Sequence, residues 1–180
     1  HTATHLLHSA LREVLGTHVR QAGSYVGPEY FRFDYTHTEP LSEEQLDKLT
    51  RIVNSRIRSN IASVIEELPY EDAIERGAIA FFEDRYTENV RMVEYCDSRG
   101  YAPVHEHSDS CYSRELCGGT HVPATGLVGQ FIITTDSSIG AGMRRIEAST
   151  GRAAEAELGE QVGILKDLSR KLQTHFRDLP

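Results

Sequence analysis

Cys117-Gly118-Gly119-Thr120-His121 sets a thiol and an imidazole four residues apart, with two glycines and a threonine between them. The chain opens on a matching half, His1-Thr2-Ala3-Thr4-His5, with two imidazoles at the same spacing. Residues i and i+4 of a helix lie one above the other on one face. On a helix, His1 and His5 grip one ion from one side, as paired histidines do in helical zinc sites. The glycines after Cys117 free the backbone to bend, so Cys117 and His121 converge from the other side. One soft thiolate with imidazoles suits zinc better than calcium or magnesium. Taken singly, each residue has a plainer explanation. A helical histidine on an apolar face is usually packed in a core, and a buried free cysteine usually behaves as a small hydrophobe. The joint pattern is what points to a metal, and it makes the two stretches opposite ends of one domain.

Working outward, residues 2–15 predict a helix, with Ala3, Leu7, Ala10, Leu11 and Val14 on one face and Gly16 placed to end it. His8 falls near the presumed ligands and is read as a supporting or packed neighbour. Thr17–Val26 and Tyr30–Tyr35 predict a hairpin around Gly27-Pro28; its second arm alternates aromatic and polar residues. Ser42-Glu43-Glu44-Gln45 is a capping box that opens a helix to about Ser59. Ile61–Leu68 and Val90–Tyr95 read as strands, with a short helix over Tyr70–Arg76 between them. Val128–Thr134 and Met143–Ala148 add two more. Cys96 to Ser113 is polar and irregular, and its His105, His107, Asp109 and Cys111 raise the possibility of a second metal site against that of a plain surface loop. Arg152–Phe176 returns to helical spacing, with Leu158, Val162, Leu165, Leu168 and Leu172 approaching a coiled-coil seam. The fold class expected is α+β: a mostly antiparallel sheet packed with helices around a zinc-centred cleft, plus a long C-terminal helix.

The 180 residues, 39% of them hydrophobic, suffice for one domain with an appendage. Three cysteines give no even disulfide framework, so free thiols in a reducing cytoplasm are expected. No apolar run is long enough to span a membrane. A motif at the first residue and no initiator Met lead us to expect a piece of a longer protein. With 19 basic against 27 acidic residues, the net charge of −8 argues against an autonomous nucleic-acid binder.

His-Thr-Ala-Thr-His-Leu-Leu-His at 1–8, Gly-Thr-His-Val-Arg-Gln-Ala-Gly-Ser at 16–24 and Phe-Arg-Phe-Asp-Tyr at 31–35 resemble the editing domain of alanyl-tRNA synthetase. So do Ser-Arg-Glu-Leu-Cys-Gly-Gly-Thr-His at 113–121 and Gly-Met-Arg-Arg-Ile-Glu-Ala at 142–148. Threonyl-tRNA synthetases carry a related domain, but their loop usually differs from Cys-Gly-Gly-Thr-His. The resemblance implies an aminoacyl-tRNA deacylase within an alanine–tRNA ligase. Its substrate would be the acceptor end of tRNA(Ala) wrongly charged with serine or glycine, its cofactor zinc, and its setting the cytoplasm. Residues 1–150 would form the editing domain, and 151–180 a helix leading toward the rest of the synthetase chain. The alternatives are a free-standing editing protein of the same superfamily and a zinc-stabilised tRNA-binding module without activity.

By the same resemblance, His1, His5, Cys117 and His121 are the metal ligands, and Cys117, His121 and Gln21 serve catalysis. Gln21 matches a pocket position where its amide would take up the serine hydroxyl. From glycine chemistry alone, the Gly118–Gly119 backbone, with Thr120 beside it, would let the terminal adenosine approach closely. Arg144 or Arg145 would hold a terminal phosphate or order the pocket. Four protein ligands make a closed site, whereas catalytic zinc keeps a position open. One ligand is therefore expected to yield to substrate, with the metal either activating water or placing the aminoacyl group.

Overall fold

The computed structural model describes residues 1–80, 86–96, 111–175 and 177. The fold is α+β, as expected, with two antiparallel sheets and four α-helices among the described residues. The larger sheet contains β1 (Gln21–Val26), β2 (Phe31–Thr36), β6 (Phe131–Gly140) and β7 (Met143–Thr150), in the order β1-β2-β7-β6. The smaller contains β3 (Ser63–Pro69), β4 (Asn89–Cys96) and β5 (Cys111–Leu116), in chain order. The helices are α1 (Thr2–Leu15), α2 (Glu43–Arg58), α3 (Tyr70–Glu75) and α4 (Gly151–Leu172).

The main core lies between the larger sheet and the helices α1 and α2. Strand β2 turns Phe31, Phe33 and Tyr35 to the helices, and Phe31 and Phe33 pair in register with Ala148 and Ile146 of β7. Leu6, Leu7, Ala10 and Leu11 of α1 and Leu49, Val53 and Ile57 of α2 cover them. Fully burying each large apolar side chain contributes about 1.5–3 kcal/mol. Helix α1 ends at Gly16, whose φ of 115° lies in the region that favours glycine. Helix α2 starts at the predicted capping box, with Ser42 accepting from the Gln45 N–H and Gln45 accepting from the Ser42 N–H. Buried Asn54 fastens α2 to β6. Its amide donates to the Phe131 carbonyl at 2.7 Å and its carbonyl accepts from the Phe131 N–H at 3.0 Å.

The smaller sheet divides its faces differently. Leu68, Met92 and Leu116 pack with Ala73 of α3, while Val93 and Tyr95 turn to the other side, with Ile61. Two expectations need correction here. Residues 111–113 belong to strand β5 rather than to an irregular loop. This strand carries Ser113 and Glu115 on its buried side, so the usual polar-out pattern is inverted and the strand is hidden from hydrophobic periodicity. The expected free thiols at 96 and 111 are instead joined as a disulfide across β4 and β5, leaving Cys117 free. An odd count excludes a full pairing, not a single one. His105, His107 and Asp109, raised as part of a second metal site, lie outside the described residues.

Helix α4 buries only Ala154 among its residues and exposes Val162, Ile164, Leu165, Leu168 and Leu172. No described helix is long and apolar enough to cross a membrane.

Candidate functional site

The first turns of α1 meet the inner face of β4–β5 and the loop that follows it. There His5, Cys117 and His121 each offer a ligand atom, all within 4.8 Å of one another. His121 Nε2 lies 3.4 Å from Cys117 Sγ, and the His5 and His121 rings meet edge to face with centroids 4.7 Å apart. Three of the four predicted ligands are thus brought together. His1 stands at the rim, exposed, its ring centroid 6.0 Å from that of His121. It rests on Gly119, where an added Cβ would come within 2.4 Å of His1 Nδ1.

The loop holding Cys117 is fixed by Arg91 of β4, whose Nη1 donates to the carbonyls of Cys117 (2.7 Å) and Gly119 (2.8 Å). The Gly119 N–H in turn points at Cys117 Sγ, 3.4 Å away. On the far side of the His121 ring, Nδ1 lies 2.9 Å from Tyr95 Oη and 3.2 Å from Thr2 Oγ1, and these two oxygens are 2.8 Å apart. With the proton on Nδ1 the Nε2 lone pair is left facing the thiol.

Beneath His5 lies Glu115, 2% exposed. It accepts hydrogen bonds from His8 Nδ1 (3.1 Å) and Ser113 Oγ (2.9 Å), and its other oxygen faces His5 Nε2 at 3.7 Å. Burial works to raise this carboxyl, but the facing His5 and the bonds from His8 and Ser113 hold it below its ordinary value. Sequence reasoning passed over Thr2, Tyr95 and Glu115 in functional terms. The signal was present for Glu115 only, which stands two residues before Cys117 with His8 one turn beyond His5.

The electrostatics of the cluster suit a cation. Burial lowers His5, and burial followed by the neighbouring His5 lowers His121 to about 3, so both rings keep free lone pairs. Burial raises the Cys117 thiol, partly offset by the Gly119 N–H. His5 Nδ1 is buried without a hydrogen-bond partner, which is costly unless something binds there. Soft sulfur, two neutral imidazoles and an unsatisfied buried nitrogen fit a metal ion, and the cluster can hold one.

A small cleft of about 60 Å³ opens beside the centre, with His1, Ala3, Thr4, Tyr30, Phe31 and Thr150 among its walls. The buried hydroxyl of Thr4 has no hydrogen-bond partner. Gln21 sits on the edge strand β1, its amide donating to Ser24 Oγ at 3.0 Å. Gly118 and Thr120 are exposed, and a Cβ on Gly118 would meet nothing within 4 Å. Arg144 makes a two-pronged pair with Asp136 (3.1 and 2.7 Å), and Arg145 makes another with Asp34 (2.7 and 2.8 Å). Both guanidinium groups thus brace the larger sheet.

Comparison with known proteins adds independent findings. Residues 90–147 match the family described as the threonyl and alanyl tRNA synthetase second additional domain. The chain is 47% identical over 180 residues to the alanine–tRNA ligase of Roseiflexus castenholzii, covering 96% of this chain and 20% of that protein. Against the enzyme of Bacillus anthracis it is 45% identical over 179 residues, covering 99% and 19%. Against that of Bacillus subtilis it is 44% identical over 180 residues, covering 100% and 19%. The chain therefore spans about a fifth of the length of the curated relatives it matches. Residues 90–147 thus carry the threonyl and alanyl tRNA synthetase second additional domain, and nearly the whole chain matches one region of alanine–tRNA ligases.

Proposed function

We propose that this chain is the editing region of an alanine–tRNA ligase and hydrolyses the ester linking serine or glycine to tRNA(Ala). The observation that carries this reading is the convergence of His5, Cys117 and His121 within 4.8 Å beside an open cleft, in a chain so similar to alanine–tRNA ligases. The need is a physical one. A pocket shaped for alanine rejects glycine or serine by only about 1–3 kcal/mol, so a second site must clear the errors.

The ion is zinc, held by His5, Cys117 and His121, with His1 closing the set from the rim. When bound, zinc supplies Lewis-acid polarisation or orients the aminoacyl group. The protein's own groups prepare that site. Tyr95 and Thr2 fix the His121 ring, Glu115 sets His5, and Arg91 with the Gly119 N–H aims the Cys117 sulfur. His1 yields most readily to substrate, because it alone of the four is exposed. Its cleft admits the amino-acid side chain, where the Thr4 hydroxyl pairs with the hydroxyl of serine, whereas Gln21, at the far end of β1 from this cleft, is not among its walls. Open space over Gly118, next to Thr120, admits the terminal nucleotide. Arg144 and Arg145 order the sheet behind the pocket. The partners are the acceptor end of tRNA(Ala) and the rest of the synthetase chain, in the cytoplasm. We place the chain within a synthetase rather than free-standing because the relatives it matches are so much longer, and the length of the native gene product tests this.

The deciding experiment is deacylation of Ser-tRNA(Ala) and Gly-tRNA(Ala) by the purified protein. Hydrolysis should stop with a strong chelator, return with added zinc and be absent in Cys117→Ala. An undiminished rate in metal-free Cys117→Ala would overturn the assignment. Zinc bound without any hydrolysis would favour the tRNA-binding module instead.

A further inference from the structure

Cys96 and Cys111, half-buried and bonded to each other at the end of the β4–β5 pair, take no part in the centre described above. Their surroundings are charged. Arg114 Nη2 lies 3.1 Å from Cys111 Sγ, and the same guanidinium pairs with Glu94, which also receives Arg76 at 3.1 Å. Of these charges the guanidinium of Arg114 is in contact with the sulfur, and a cation there favours thiolate over thiol.

We propose that Cys96 and Cys111 form a reversible thiol–disulfide site, taking peroxides as oxidant and dithiols as reductant, which clamps the strand pair that carries the inner wall of the metal centre. Oxidation starts at Cys111. Its thiolate attacks the O–O bond of the peroxide and takes one oxygen as a sulfenic acid, while the other oxygen leaves as water or alcohol. The Cys96 thiol then attacks that sulfur, the S–O bond breaks, water departs and the S–S bond forms. Reduction runs by exchange. One thiolate of the dithiol attacks the disulfide, its second thiol closes a disulfide on the first, and Cys96 and Cys111 are released as thiols.

The register links this pair to the centre. The rung next to the disulfide is Tyr95 opposite Ser113. Tyr95 holds His121 and Thr2, and Ser113 holds Glu115, which anchors His8 and faces His5. The ladder is already irregular between Tyr95 and Cys96. Strand ends open before strand centres. With the crosslink cut, opening at this end reaches the two residues that support the ligands.

The site does not rest on the deacylase reading, and its test needs no deacylation. The zinc-loaded protein is treated with hydrogen peroxide or with dithiothreitol, then alkylated and weighed by mass spectrometry. The reduced protein should carry two alkyl groups more than the oxidised one, and Cys96→Ser/Cys111→Ser should show no such difference. Hydrogen exchange of the 91–95 and 112–116 amides should run on the order of tenfold faster after reduction. Both wild-type comparisons stand even if the double variant fails to fold. Two thiols still open to alkylation after peroxide, or equal exchange rates in the two states, would overturn the proposal. So would one extra zinc in the reduced wild type over the double variant, since Glu94, Cys96 and Cys111 would then be a second metal cluster.

Discussion

At the scale of single residues, the contact between His1 and Gly119 makes the proposed role of His1 testable without replacing any proposed ligand. A methyl group on residue 119 would occupy the place of the His1 ring, so Gly119→Ala should push that ring away and leave the other three ligands in position. Zinc affinity, measured by competition with a chromophoric chelator, should fall roughly ten- to a hundredfold, the usual scale for disturbing a site through its surroundings. An unchanged affinity would remove His1 from the ligand set. Selectivity is likewise a matter of one side chain. The Gln21 amide is already engaged by Ser24, whereas the Thr4 hydroxyl lines the cleft unpartnered. Losing the group that reads the serine hydroxyl should narrow the ratio of Ser-tRNA(Ala) to Ala-tRNA(Ala) hydrolysis by about 1–3 kcal/mol. Gln21→Leu and Thr4→Val, compared at constant zinc content, assign the role. A ratio unmoved in Gln21→Leu but reduced in Thr4→Val places the reading on helix α1.

At the scale of elements, Asn54 shows how one polar side chain can join a helix to a strand. Asn54→Ala strips the partner from the Phe131 N–H inside the core and leaves the Phe131 carbonyl only the longer bond from Gln130 Nε2, at 3.3 Å. Stranding buried polar groups costs about 1–3 kcal/mol each, so the urea midpoint should drop with little change in slope. The elements that follow ordinary rules were legible in the sequence. The capping box of α2 is written in Ser42 and Gln45, and the apolar stripe of α1 in Leu7, Ala10 and Leu11. Strand β5 was not legible, because Ser113 and Glu115 are buried to support histidines of α1, and no local pattern reveals that service. The bond between Cys96 and Cys111 was hidden for the same reason, since it depends on β4 and β5 being neighbours. Of the candidate site, the spacing marked His5, Cys117 and His121, which the fold brings within 4.8 Å of one another. Tyr95 and Thr2 did not, because their hydrogen bonds to His121 cross from other elements.

At the scale of the whole molecule, the net charge of −8 sets the terms for RNA. Affinity for phosphate grows with accumulated cations, and Arg144 and Arg145 are already spent on Asp136 and Asp34. The isolated chain should therefore bind tRNA weakly, with a shallow dependence on salt. Nanomolar binding at physiological ionic strength would contradict this. The exposed apolar residues of α4, from Val162 to Leu172, mark where further protein surface has room to pack. The candidate metal site joins Thr2 to His121 across 119 positions of sequence, and His8 to Glu115 across 107. Contacts so distant along the chain form late, after long loops have closed. During synthesis the ribosome releases the helix bearing His5 long before the loop bearing Cys117. A nascent chain arrested before that loop leaves the exit tunnel can already shape α1, α2 and the β1–β2 hairpin, yet it has no place for a metal. The activity proposed here would thus be withheld from every copy that stops short of that loop, and zinc uptake would report that the chain has passed it.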